Sequence, residues 1–382
     1  MLRPALSEDD DPKLDFELRS WRELESIRTD WADLAARAEC PNVFYDPVFA
    51  VNAAKALGVE HVLKAALFWR GQGSTRRLSG FLPLITRRRW IVTPPNLEVW
   101  TNPYAPASHP LTEPGVAEVL GRTLVQGLAD TANLPRILMM PNLVLDSAFA
   151  IDLLGAGAPL FVHNGYQKPI ARTELDGAGY LSHAVRPKRQ KEWKRRRSHL
   201  EAKGDLQFRV LRDPSELTQA GERFIALEAS GWKGRRGTAL ENSAAGAALF
   251  RSVVADMAGD GRLRIAELSL DGKTIVSFVI LCSPGHYWLW KTTFDETHAK
   301  QSPGHMALVD VIGAMLDETP GATIDSCAVE ADHFSGRVLR EFVAMGDVLL
   351  STRPRPNIIF RTANVLEAVR GSVRTARNRI RS

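Results

Sequence analysis

The chain has 382 residues, a formal net charge of +5, and 45% hydrophobic residues. At roughly 100–200 residues per domain this calls for two globular domains and excludes a disordered or low-complexity chain. Three scattered cysteines (Cys40, Cys282, Cys327) without a CxxC exclude an evident zinc site or disulfide framework and suit a reducing compartment. The N-terminus is acidic where a secretory signal would be basic and then apolar, and no run reaches the roughly 18 apolar residues that span a bilayer. The expected location is the cytoplasm.

In chain order, Leu14–Ser20 alternates as a strand, and helices are expected around Leu24–Glu39 and Pro47–Leu57. Val62–Trp69 and Leu78–Ile85 read as strands, with a weak third at Leu97–Trp100. Gly115–Asp130 reads as a helix, Arg136–Met139 as a strand and Ser147–Leu154 as a helix. A boundary is expected near Gly177–Ser182, followed by a basic helix over Pro187–Lys203. Leu206–Arg212 alternates, and Asp213-Pro214-Ser215-Glu216 opens a helix with a capping Asp, a first-turn Pro and an early acid. After a charged, Gly-rich loop, Ser243–Ala258 reads as a helix. Three strands follow (Arg262–Leu270, Thr274–Cys282, His286–Phe294), separated by Asp271-Gly272 and Pro284-Gly285. Gly304–Leu316 is then a helix, Thr323–Val329 a strand, Ser335–Met345 a helix and Asp347–Thr352 a strand. The two halves repeat one order of elements with little residue identity. Two similar α/β domains are therefore expected, residues 1–180 and 181–360, each a mixed sheet flanked by helices, with a basic helix over 361–382.

Charge is concentrated. His183–Lys203 holds nine Lys/Arg against Glu192 and Glu201, and Arg353–Ser382 holds eight arginines against Glu367 alone. Two basic segments on an otherwise acidic body suit anionic partners at defined places and not a nucleic-acid coat, so DNA is not an expected partner.

The order of elements resembles a GCN5-related N-acyltransferase (GNAT) domain, and the tandem resembles the FemAB-like branch. The residues that carry the likeness are LSHAVRPKRQKEWKRRRSHLEAKGDLQF (Leu181–Phe208), LEASGWKGRRGTAL (Leu227–Leu240), GRLRIAELSLDGKTI (Gly261–Ile275) and WLWKTTFDETHAKQSPGHMAL (Trp288–Leu308). Together they are similar to CelD-type acetyltransferases associated with bacterial exopolysaccharide (cellulose or holdfast) synthesis. The likeness covers about Leu181–Leu350, and the first half by architecture alone.

The resemblance implies an acyl-CoA arm lying between two splayed strands, with its pyrophosphate on the backbone N–H groups that open the next helix. Free amides, the helix dipole and a closely approaching glycine make such an anion site. Gln301, Ser302, Gly304 and His305 occupy that turn, with Met306 where the pattern has a small residue and Pro303 removing one donor. Acetyl-CoA is the implied co-substrate, and no metal is. The matching turn of the first half places Glu113 where phosphates would go, which a carboxylate opposes. The first domain is thus expected to be structural or to bind the acceptor.

Acyl transfer needs a neutral amine, a path for its proton and a donor to the thioester carbonyl. Asp295, Glu296 and Asp325 are candidates to hold the ammonium and take its proton, as is Glu330. Lys291, alternating with Trp288 and Trp290, suits a phosphate or sugar carboxylate as well as a snorkelling surface position. Trp232 and Lys233 suit a stacked sugar or packing beneath their loop. Arg189 and Arg196 on the basic helix suit a nucleotide sugar, a lipid-linked diphosphate or CoA phosphates. His286, His298, His305 and His333 read as surface or structural residues. In the tail, Val365, Val369, Val373, Ala376 and Ile380 form one stripe and Arg370, Arg374, Arg377 and Arg381 another. Three readings fit: an interfacial helix on an anionic membrane at the inner face, a last helix packed on its own domain, or an arginine pocket for a cyclic dinucleotide. The expected function is N-acylation of an amino group on an anionic saccharide or lipid-linked precursor. The rivals are an aminoacyl-tRNA-dependent FemAB-like transferase and an inactive anion-sensing component of a polysaccharide machine.

Overall fold

The computed structural model describes residues 13–328 and 334–381, with side chains as far as Val373. The first half of the chain forms β1 (Leu14–Ser20), α1 (Arg28–Arg37), α2 (Pro47–Ala56), β2 (Leu63–Arg70), β3 (Arg77–Arg87), β4 (Asn96–Val99), β5 (Leu111–Thr112), α3 (Ala117–Asp130), β6 (Ile137–Val144), α4 (Ala148–Gly155) and β7 (Leu160–Arg172). Then come α5 (Gly177–Ala184), α6 (Pro187–Glu201), β8 (Leu206–Leu211), α7 (Pro214–Ser230), α8 (Trp232–Arg235), α9 (Ala244–Gly259), β9 (Leu263–Leu270), β10 (Lys273–Ser283) and β11 (His286–Phe294). The chain continues through α10 (Pro303–Glu318), β12 (Thr323–Asp325), β13 (Glu341–Ser351) and α11 (Ile358–Arg381). The architecture is mixed α/β, with sheets flanked by helices.

Two compact units result. One gathers the residues up to Pro47, Val59–Tyr166 and the chain from Ala344 onward; the other holds Val48–Gly58 and Gln167–Val343. The division differs from the expected break at residue 180 in three places. The chain passes between units within β7, α2 belongs with the second unit, and β13 with α11 belongs with the first. Side chains explain the second difference, because Phe49 of α2 meets Trp290 edge-on at 5.5 Å.

In the first unit β1, β2, β3 and β4 pair antiparallel, β4 and β6 run parallel, and β13 pairs antiparallel with β6. Strand β3 is buried from Leu78 to Ile85, the near-continuous burial of a strand covered on both faces. Helix α3 meets α4 through Gly121, where a Cβ would stand 2.4 Å from the Leu153 nitrogen. Trp31 donates to the Tyr45 carbonyl at 2.8 Å and the Tyr45 hydroxyl to the Trp100 carbonyl at 2.9 Å, so the aromatic core keeps its polar tips satisfied. The first turns of α11 complete this unit: Phe360 and Ala363 join Trp90, Met139 and Leu349 in one buried cluster. Buried Glu367 receives two bonds from Arg89, at 3.0 and 2.9 Å, and Arg89 also reaches Glu98 at 3.1 Å. Of the three readings of the tail, packing on its own unit accounts for this inner face.

In the second unit β8, β9, β10 and β11 form antiparallel pairs, β12 runs parallel to β11, and the end of β7 pairs antiparallel with β12. The turn from β9 to β10 places Asp271 and Gly272 at φ 51° and 76°, the double positive φ that an Asp-Gly hairpin supplies. Alternation along β11 sends Tyr287 and Leu289 into the core shared with α10, while Trp290 stacks on Phe250 of α9 at 5.6 Å.

Two expectations fail. The helix expected at Ser335–Met345 is a short turn (Ser335–Arg337) followed by strand β13. From Ala344 onward the backbone joins β6, with the Leu145 N–H donating to the Ala344 carbonyl at 2.8 Å and Met345 standing opposite Val144. Strand β7 has no counterpart in the expected series, and the strand expected over Thr323–Val329 stops at Asp325.

Because Arg89 and Glu367 are taken out of water together, Glu367→Ala strands a buried guanidinium. Urea unfolding of the variant should show a loss of about 3 kcal/mol, whereas Val365→Ser on the exposed side of the same helix should lose almost nothing.

Candidate active site

The site begins where β11 and β12 part. Only three register pairs join them, His286 with Thr323, Tyr287 with Ile324 and Trp288 with Asp325. β11 then runs on to Phe294, while the chain after β12 turns off through Cys327 at φ 55°. The register between β10 and β11 slips at Trp290, so Val279 faces Lys291 and Ile280 faces Leu289. Such a bulge re-aims the side chains that follow it. The result is a wedge whose edge on β11 runs from Leu289 past Lys291.

Lys291 is half-buried at this edge. Burial, and then the charge of Lys233, lower its ammonium to about 8, with Glu228 opposing. Glu228 is buried and accepts from Lys233 Nζ at 2.7 Å and from the Leu240 N–H at 2.8 Å. Lys233 also donates to the Thr292 carbonyl at 3.2 Å. Lys233 is thus held on Glu228 and β11, which agrees with the packing alternative for its loop. Trp232 remains exposed, with the Arg236 guanidinium 5.1 Å from its ring centre.

The three candidate bases are otherwise engaged. Asp325 is buried and accepts from Lys168 Nζ at 2.5 Å and from the Cys327 N–H at 2.7 Å. Burial works to raise its carboxyl, but the charges of Lys168 and His286 and these hydrogen bonds carry it below the ordinary range. Asp295 caps the turn after β11, accepting from the Thr297 N–H at 3.0 Å, Thr297 Oγ1 at 2.7 Å and Lys273 Nζ at 3.1 Å. Burial opposes these partners, yet they bring Asp295 down to about 2. Glu296 accepts from the Trp232 N–H at 2.8 Å and Arg235 at 2.5 Å, and these bonds lower it as well. All three also accept a backbone N–H. Burial pushes the Cys327 thiol well above its ordinary value, leaving it a neutral thiol.

The Gln301–His305 turn opens α10. Ser302 is left-handed (φ 53°), and Pro303 occupies the first helical position. Arg196 of α6 donates to Ser302 Oγ and also pairs with Glu192, while Arg197 pairs with Asp310 of α10. Helix α6 is thus clamped to the opening turn of α10, with Arg196 held on Ser302. Gly304 is buried, and a Cβ there would stand 3.4 Å from the Phe334 ring. The His305 ring lies between Phe334 (4.6 Å) and Trp193 (6.3 Å). Met306 faces the core and the wall of a 310 Å³ groove lined with Leu181, Val185, Trp193 and Val309, so its bulk is directed away from the turn. Arg189, on the same helix α6, donates to the Arg337 carbonyl at 3.4 Å. Glu330 and His333 lie outside the described residues, as do the side chains of Arg374, Arg377 and Arg381. Arg370 is exposed, its charge felt by Glu367.

The corresponding turn of the first unit is arranged differently from expectation. Glu113 points inward, buried, against Arg37 (2.5 Å), Arg77 (3.1 Å) and Arg70 (3.6 Å). The carboxylate at the opening of α3 is Glu39, which accepts from the Gly115 N–H at 3.2 Å. Sequence reasoning also missed Glu228 and Lys168. The first stands in the LEASGWKG stretch, but Lys168 gave no signal, since its partner lies 157 residues away.

Residues 187–334 match the family described as acetyltransferase (GNAT) domain. This region holds α6, the β11–β12 wedge and the opening of α10, and it defines an acyltransferase domain within the second unit. No curated protein matches the chain. Among solved structures, FemX matches at a TM-score of 0.55 and 9% identity, over 84% of this chain and 95% of that one. A conserved protein of unknown function from Bacteroides thetaiotaomicron matches at 0.53 and 10%, over 89% and 100%. The C-terminal domain of a putative lysylphosphatidylglycerol synthetase from Agrobacterium fabrum matches at 0.50 and 10%, over 90% and 96%. At these identities the likeness is one of fold.

Removing one member of the Lys168–Asp325 pair should cost about 3–5 kcal/mol, while Lys168→Met with Asp325→Asn should cost much less than either alone. The folded-state carboxyl is depressed, so its stabilisation is present at neutral pH and disappears as pH falls below the ordinary carboxylate range. Urea titrations across pH for the wild type and the double variant should separate the two curves at neutral pH and bring them together in acid.

Proposed function

We propose that the second unit transfers an acetyl group from acetyl-CoA to an amino group of an anionic saccharide, free or carried on a lipid phosphate, as used in exopolysaccharide synthesis. The observation that carries this reading is the parting of β11 and β12 at Lys291, one loop before the clamped opening of α10. An extended thioester arm fits the wedge, and its pyrophosphate fits the N–H groups and positive dipole end of α10. Arg196 shapes Ser302 for this and adds charge.

The acceptor nitrogen attacks the thioester carbonyl carbon, the carbon–sulfur bond breaks, and the amine proton leaves to solvent. Lys291, lowered to about 8, is matched to an ordinary thiol of about 8.5 and gives its proton to the departing sulfur. The exposed cations Lys188, Lys191, Lys194 and Arg195 of α6, with half-buried Arg189, suit an anionic acceptor. Exposed Trp232 suits a sugar face. A second reading, an anion-sensing protein without turnover, is favoured by Phe334 standing close over Gly304. An aminoacyl-tRNA donor would bind strongly in a salt-dependent manner and not compete with CoA.

Calorimetric titration tests the donor site. Ser302→Asp keeps the left-handed backbone that Asp tolerates, places a carboxylate at the turn and should weaken acetyl-CoA binding by about tenfold or more. Glu39→Gln in the first unit should leave binding unchanged. If the wild type binds tRNA and not acetyl-CoA, the donor assignment fails; if it binds acetyl-CoA but acylates no amine, the sensing reading stands.

The pH dependence of turnover tests Lys291. Activity should fall as pH rises through about 8, because the ammonium that donates the proton is lost. Lys291→Met should lower kcat by about a hundredfold and abolish that descending limb, with little change in the KM for acetyl-CoA.

A further inference from the structure

The loop after β3 reads Arg87-Arg88-Arg89-Trp90-Ile91-Val92, and its residues divide sharply in placement. Arg89 and Trp90 turn inward, to Glu367 and to the Phe360–Ala363 cluster of α11. Ile91 and Val92 point outward, 91% and 73% exposed. The inward pair ties this loop to α11, so two aliphatic side chains emerge beside that helix. On α11 itself, Ile358, Val365, Val369 and Val373 are 55–73% exposed, on the side away from Phe360, Ala363 and Glu367. Scattered exposed aliphatics are ordinary; six on one loop and one helix that are joined by buried contacts make a patch.

Charge around the patch has one sign. Arg87, Arg88, Arg353, Arg355, Arg361 and Arg370 are exposed. The nearby acids Glu98 and Glu367 are buried on Arg89 and contribute no free negative charge. A protein partner would ordinarily meet such a surface with mixed polar groups, whereas aliphatic tips rimmed by arginines match an acyl layer beneath anionic headgroups.

We propose that the Arg87–Val92 loop and the outer face of α11 together form a docking surface for an anionic lipid bilayer, with Ile91 and Val92 as the inserting wedge. This goes beyond the transferase reading and does not depend on it. Because the inner face of α11 is core, deleting the helix would unfold the first unit, so the test uses outward residues only.

The full chain is co-sedimented with vesicles of phosphatidylcholine, with and without phosphatidylglycerol, at low and high salt. Binding is expected only to vesicles containing phosphatidylglycerol, and it should weaken with salt. The pair Ile91→Ser with Val92→Ser should lower partitioning by about tenfold or more, and Arg88→Ser by about fivefold, with thermal unfolding unchanged. Absence of wild-type binding at low salt overturns the proposal, as does binding that ignores both variants. Sedimentation velocity showing a wild-type dimer that the Ile91 and Val92 changes dissolve also overturns it, in favour of a contact between copies of the chain.

Discussion

An ammonium and a carboxylate lose several kcal/mol each on leaving water, so a buried pair persists only where its geometry holds both firmly. Lys168 and Asp325 meet that condition, at 2.5 Å, across the short antiparallel pairing of β7 with β12. The second oxygen of Asp325 takes the Cys327 N–H, which bends the chain off the sheet directly after β12. The strand therefore stops early, and the backbone leaves β11 beyond Trp288. The pair stands where the wedge opens, next to Lys291 and the bulge at Trp290.

Most acidic side chains around the site act in the same indirect way. Asp295 caps one turn, Glu296 holds the Trp232 loop, and Glu228 holds Lys233 beside β11. A sequence shows carboxylates beside candidate lysines and tryptophans but not which of their lone pairs are already taken. The two units differ on this same point. In the second, a neutral Ser302 held by Arg196 opens α10; in the first, Glu39 already sits on the N–H of Gly115.

Much of the second unit was legible in the chain. Strands β8 to β11 and helices α6, α7 and α9 follow the alternation, caps and Asp-Gly turn that announced them, and the Gln301–Gly304 turn was visible as a motif. Strand β7 was not, because Asn164, Gly165 and Pro169 interrupt its pattern and read as a loop. Strand β13 was misread because Val338, Leu339, Val343, Met345 and Leu349 recur at steps of four and seven that also suit a helix, and only the pairing with β6 decides for a strand. Neither buried ion pair was read from the sequence: Glu228 stands five residues from Lys233 in the LEASGWKG stretch and was still missed, and Lys168 reaches Asp325 through a pairing of strands that no local pattern encodes.

The threading of the chain through the two units has a consequence during synthesis. The second unit has all its residues once Val343 has emerged, but the first still lacks β13 and α11. Its β6 edge and the Trp90 cluster stay open until Leu349, Phe360 and Glu367 are available, a wait of a few seconds at roughly 5–20 residues per second. The unit built mostly from the later-made half of the chain is thus the first to have all its residues. The nascent protein spends that interval with an unpaired strand edge and with Arg89 held by Glu98 alone, the state in which a chaperone would find the most to bind.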